Sequence, residues 1–200
     1  MKIIQINTKY HMKLFKKIFC IHILLLLVTP LIINADEVIL QKKDTIIPLG
    51  FHLSILKDES KKLTLKEILR DKQDAFIKST KEVPYFQFSD AAYWVRFTVQ
   101  SALEQKSNWM IKFSYPLMDY IEFYEQKKGT FTALKTGYRQ PFTSRPIKNK
   151  FFVFPISVNS LEKKTYYFRF VNEDRMEIPL TLYSADRFYE YDHDEQYVMG

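Results

Sequence analysis

Between residues 91 and 184 the chain is written in short runs that alternate apolar and polar positions. In AYWVRFTVQ (92–100), Tyr93, Val95, Phe97 and Val99 share one face of an extended strand, and Ala92, Trp94, Arg96, Thr98 and Gln100 share the other. NWMIKFSY, YIEFYEQ, FTALKTG, KFFVFPISV, KTYYFRFVN and IPLTLYS follow, separated by Pro, Gly, Asn, Ser or Lys, with EQKKGT and VNSLEKK as hairpin loops. Closely spaced strands without intervening helices predict an all-β fold, an antiparallel β-sandwich. Ahead of them, residues 37–49 predict two short strands around a Gln-Lys-Lys-Asp turn. One short N-terminal helix is predicted in LTLKEILRD (63–71): Thr64 and Glu67 have capping-box spacing, and Leu65, Ile68 and Leu69 share a side. No repeat or low-complexity tract appears.

The ends read differently. Five lysines precede IFCIHILLLLV (18–28), which leads to LIINADE, the three parts of a secretory signal spanning 1–35 with cleavage after Ala35. A start at Met12 gives a signal of more usual length, and Ile33, where a small residue is preferred, leaves an uncleaved anchor as the alternative. The sandwich is expected over 36–188. From 189 to 200 the acidic YEYDHDE and the final QYVMG read as a polar linker and the start of a membrane segment.

Charge changes the picture little. The net +7 comes largely from those five lysines, since the remaining 25 basic residues face all 23 acidic ones, so a nucleic-acid partner loses its support. Cys20 lies inside the apolar run, so the mature chain has no disulfide and relies on its core. After signal removal only His52 and His193 remain, which leaves soft metal sites without ligands and a Ser-His-Asp triad without a nucleophile elbow. Four glycines form no phosphate-binding loop, and no cofactor is expected. Asp119, Glu122 and Glu125 read as a solvated strand edge, not a catalytic pair, and the chain is not expected to be an enzyme.

YWVRF (93–97), YPLMDYIEFY (115–124), PFTSRP (141–146) and FVFPI (152–156), in this order, together with LGFHLSILKDESKKLTLKEIL near the start, resemble the second type of extracellular sensor domain of bacterial seven-transmembrane receptors with diverse intracellular signalling modules, the 7TMR-DISM class. The resemblance runs from about Ile46 to Phe188. It implies a jelly-roll-like sandwich related to carbohydrate-binding modules, lying outside the cytoplasmic membrane and binding a carbohydrate-like or small polar ligand. It also implies membrane attachment through a seven-helix region, and an intracellular output, that this sequence does not contain.

Six residues are candidates for such a site. Trp94 and Arg96 share one strand face, as do Tyr167 and Arg169. Either the aromatic stacks on a sugar while the guanidinium binds its hydroxyls or carboxylate, or the chain covers this face and pairs the arginines itself. Arg145, between two prolines, suits a site rim or a plain turn, and Asp119 suits an arginine partner or a turn terminus. A rival reading makes the exposed aromatics a docking surface for a partner domain or a second copy of the chain.

Overall fold

The computed structural model describes residues 37–42 and 45–198, with side chains through Asp192. The expected signal segment and Cys20 lie outside the described residues. In chain order the elements are β1 (Glu37–Leu40), β2 (Ile46–Pro48), β3 (Ser54–Asp58), α1 (Leu65–Asp71), β4 (Ile77–Lys78), β5 (Tyr85–Phe86), β6 (Ala92–Ser101), β7 (Ser107–Phe113), β8 (Tyr120–Lys127), β9 (Thr130–Thr136), β10 (Phe152–Val158), β11 (Lys163–Val171), β12 (Met176–Glu177), β13 (Leu180–Ser184) and α2 (Ala185–Val198).

The larger sheet runs β4-β3-β6-β11-β8-β9, and the smaller β10-β7-β13-β2. From β6 onward the chain passes between sheets: β6 lies in the large one, β7 in the small, β8 and β9 in the large, β10 in the small, β11 in the large and β13 in the small. This crossing makes the sandwich jelly-roll-like, with β5 and β12 as a separate two-residue pair. The pairing is antiparallel except that β1 runs parallel to the end of β6.

Alternation puts Tyr93, Val95, Phe97 and Val99 inside, facing Trp109, Ile111 and Phe113 of the smaller sheet. Phenylalanines dominate this layer. Across the sheets, Phe113 stacks on Phe170 at 4.8 Å and Phe123 meets Phe154 at 5.1 Å. Burying each such ring contributes about 1.5–3 kcal/mol, which substitutes for missing disulfides. The β8–β9 turn is tight because Lys128 and Gly129 both take positive φ, 49° and 81°, as a type I′ hairpin requires.

α1 begins on the predicted capping box, with Glu67 N–H donating to Thr64 Oγ1 at 3.4 Å and Thr64 N–H to Glu67 Oε2 at 2.8 Å. The C-terminal stretch, expected to be a polar linker from 189, is helical from Ala185 to Val198. Phe188 supplies the reason, since it packs edge-on against Tyr183 and joins Met110 and Val153 on the outer face of the smaller sheet. Among the described residues no helix is long and apolar enough to cross a membrane.

Candidate functional site

Trp94, Arg96, Tyr167 and Arg169 lie on the outer face of the larger sheet, where Arg169 is the register partner of Trp94 and Tyr167 that of Arg96. The structure brings all four together, but the chain itself occupies the face. Trp94 is 0% exposed, stacked on Tyr124 at 5.6 Å and packed with Leu56 of β3 and Ile68 of α1. Arg96 donates to Gln73 Oε1 at 2.6 Å and lies 4.4 Å over the Phe76 ring, and Tyr167 OH reaches the same Gln73 oxygen at 3.4 Å. Arg169 donates to the Lys61 carbonyl at 2.7 Å and to Glu122 at 3.4 Å. The cluster therefore fastens residues 61–76 to the sheet. A sugar has no open ring to stack on in this arrangement.

Asp119 and Arg145 are used elsewhere. Asp119 accepts from Arg139 Nε at 2.8 Å and from the Glu173 N–H at 2.9 Å, while its own N–H donates to Asn172. Arg145 donates to the Asn149 and Lys150 carbonyls at 2.6 and 2.8 Å, with its guanidinium 4.2 Å over Phe152; burial lowers its pKa. One residue pins a corner, the other a loop.

A different site appears where β8 ends. Ile121, Phe123, Glu125 and Lys127 share one parity, and the first two are core residues, so Glu125 turns inward and is 5% exposed. Its carboxylate meets Lys164 Nζ and Lys127 Nζ, each at 2.9 Å. The hydroxyl of Tyr166 is buried and has no hydrogen-bond partner among the described residues. Burial first, then the charges of Glu125 and Glu162, pushes that phenol's pKa well above its ordinary value.

Beside this carboxylate a groove of about 490 Å³ runs between the end of the smaller sheet and α2. Asn108, Pro155 and Ser157 line it from the strands, Glu125 and Lys127 from β8, and Tyr189 from α2. Ser157 Oγ donates to Asn108 Oδ1 at 2.7 Å, which orders the two side chains, and Tyr189 is 57% exposed. A second cavity of about 280 Å³ shares Glu125, Lys127 and Pro155. An exposed ring, an amide, a hydroxyl, a carboxylate and an ammonium around one concavity suit a hydroxylated molecule of sugar size. The sequence reading of Glu125 as part of a solvated edge is thereby corrected, and its parity with Phe123 was the available signal. Among the described residues no group of His, Cys, Asp and Glu could hold a metal ion.

No curated protein matches the chain. Among solved structures, a family GH115 4-O-methyl-α-glucuronidase with specificity for decorated arabinogalactans matches at 13% identity and a TM-score of 0.27, over 52% of this chain and 14% of that one. A carbohydrate-binding module from Clostridium stercorarium, solved with cellobiose, matches at 9% identity and a TM-score of 0.21, over 51% of this chain and 81% of that one. A family 6 carbohydrate-binding module matches at 10% identity and a TM-score of 0.20, over 66% and 92%. Likeness this slight bears on neither ligand nor mechanism. The match of family profile is of another order: it spans residues 50–184, from the turn before β3 to the last residue of β13, and the chain belongs to the family described as 7TMR-DISM extracellular 2.

Proposed function

We propose that the chain is the ligand-sensing part of a bacterial membrane signalling receptor, exported by its N-terminal segment, and that it binds a carbohydrate-like or other small polar ligand in the groove between β7, β10 and α2. The family places the domain on the extracytoplasmic side of such receptors. The observation that carries the ligand reading is the groove itself, where Tyr189 faces Asn108, Ser157, Glu125 and Lys127 around about 490 Å³. An aromatic ring offers a sugar's C–H face an apolar platform, and the polar groups exchange water for hydroxyls.

The groove also supports a route for the signal. Its strand wall belongs to the sandwich and its Tyr189 wall to α2, which begins at Ala185, just past the residues that the family profile matches. A ligand that touches both favours the docked helix over any undocked arrangement by its differential affinity.

The test is a thermal-shift and calorimetric screen of the full chain against mono- and disaccharides, sugar acids, amino acids and organic acids. A ligand at a hundredfold excess over its Kd adds about 2.7 kcal/mol of stability, visible as a raised Tm. Tyr189→Ala and Asn108→Ala should each remove that shift. Unmoved melting curves across all four libraries, or a saccharide-induced shift that survives both substitutions, would defeat the reading.

A further inference from the structure

We propose that the opposite edge of the sandwich carries a second binding site, for a small carboxylic acid with an aromatic or alkyl body. The site is a cavity of about 300 Å³ beside the edge strand β4, and it does not depend on the function proposed for the Glu125 groove.

Its floor is a row of apolar side chains built across three strands. Ile77 of β4 lies opposite Ile55 of β3, and Tyr93 of β6 lies opposite Lys57 at the end of β3. Phe86 lies against Tyr93 with ring centroids 4.3 Å apart and planes tilted by 32°, and extends the row. Ile55 and Tyr93 belong to the main core, so the cavity is an opening onto that core. Ile77 is 76% exposed and Tyr85 45% exposed, so the apolar row continues from the core out to the surface.

The wall formed by residues 79–86 is held in place at several points. Ser79 N–H donates to the Leu53 carbonyl at 2.9 Å, and Ser79 Oγ closes a tight turn by accepting from Lys81 N–H at 3.2 Å. Further on, the Pro84 carbonyl accepts from Ile178 N–H at 2.9 Å, and β5 pairs with β12. Between these points the backbone presses on Gly50, where a Cβ would stand 1.8 Å from the Glu82 carbonyl oxygen. A cavity fixed in this way loses little entropy on filling.

Charge selects the ligand. Lys57, Lys78 and Lys81 line the cavity together with the hydroxyl residues Ser79 and Thr80, and no acidic residue is among the lining. Glu59 pairs with Lys57 at 3.1 Å, but both groups are exposed and solvent screens the pair. In the Glu125 groove, by comparison, a buried carboxylate is itself part of the lining. A neutral sugar would leave its hydroxyls against Ile55, Ile77 and Phe86 without partners. An apolar body with one terminal anion covers the row and sets its charge among the ammonium groups. The free carboxylate of a peptide ending in an apolar residue presents the same chemistry.

The full chain is titrated with 3-phenylpropionate, octanoate, their two amides and the dipeptide acetyl-Ala-Phe, followed by calorimetry and by backbone amide NMR shifts. The acids should perturb residues 55–57 and 77–86 and bind at least tenfold more tightly than the amides. Rising salt should weaken them. Lys81→Glu should weaken the acids at least tenfold with an unchanged melting curve; Ile77→Asp, at an exposed position, provides the same reading should Lys81→Glu fail to fold. Stronger binding by the dipeptide than by the free acids supports the site and makes its natural ligand a chain terminus. Amides that bind as well as the acids, shifts centred elsewhere, or no binding by any probe at millimolar concentration would overturn the proposal.

Discussion

Lys164 Nζ lies 2.9 Å from Glu125 Oε1, and each residue stands at the strand parity that its neighbours fill with core rings, Phe123 on β8 and Tyr166 and Phe168 on β11. Charges at such positions persist because each satisfies the other: Glu125 is 7% and Lys164 12% exposed by side chain.

Removing one partner should therefore be more harmful than removing both. Glu125→Leu alone is expected to cost about 3–5 kcal/mol by stranding Lys164, whereas Glu125→Leu combined with Lys164→Met should cost less than those two single changes added together. Urea denaturation of the three variants provides the cycle. Additive single effects would show that the pair is not coupled.

Tyr166 gives a prediction of opposite sign. Its hydroxyl is buried without a partner, so Tyr166→Phe removes an unsatisfied polar atom and should be neutral or stabilising by about 1 kcal/mol. The raised phenol pKa adds a pH dependence. The folded state holds the proton after the unfolded chain has released it at about pH 10, so stability is fully present below that value and falls as pH rises beyond it. Tyr124, whose phenol is also raised by burial and by its hydrogen bond to Glu122, contributes in the same direction. Denaturation at pH 8 and pH 11 should show a smaller alkaline loss for Tyr166→Phe than for the parent chain.

Trp94 is expected to behave as a core residue. Trp94→Ala should cost about 3–5 kcal/mol through the cavity left under α1. Ligand affinity measured on the remaining folded fraction should be unchanged, because the Glu125 groove does not include Trp94. A selective loss of sugar binding without loss of stability would return the binding site to this face.

How much of this was legible in the sequence depends on the range of the forces involved. The inward row Tyr93, Val95, Phe97 and Val99 follows from alternation, and α1 follows from the Thr64–Glu67 capping box, because both are local patterns. The same alternation marked Glu125 as inward, but carboxylates are so often solvated that the signal was read as an edge. Trp94 and Arg96 were rightly seen as sharing a face. What covers them, Gln73 and Phe76, lies some twenty residues away in the chain, and no periodicity reports that return. α2 was missed because Phe188 and Tyr191 are thinly spread in an acidic stretch, and only the sheet beneath gives their side meaning.

The cover over Trp94 should be adjustable from its cap. Thr64→Ala removes both hydrogen bonds of the hydroxyl, the one it accepts from Glu67 N–H and the one it donates to Glu67 Oε2, and should cost about 1 kcal/mol. Since α1 contributes Ile68 to the cluster around Trp94, its fraying should raise acrylamide quenching of tryptophan fluorescence before global unfolding. The other tryptophan, Trp109, is 1% exposed in the main core and donates to Ser107, so it supplies a quiet background. Quenching that rises only in step with global unfolding would mean that α1 and the sheet open as one unit.

Gly50 tests whether the edge cavity is held by the fold or merely left by it. Any side chain there meets the Glu82 carbonyl oxygen at 1.8 Å and the Lys81 carbonyl oxygen at 2.6 Å, both backbone atoms that cannot swing aside. Gly50→Ala must therefore push residues 81–82 outward, at a cost of about 1–3 kcal/mol as in an overpacked core. The displaced segment carries Lys81 and leads into Pro84 and Tyr85, so the wall of the cavity moves with it. Loss of carboxylate binding together with this modest destabilisation is the expected outcome. Gly50→Ala with parental stability and parental binding of 3-phenylpropionate would show that this wall is soft, and that the cavity owes its shape to something other than the close approach at Gly50.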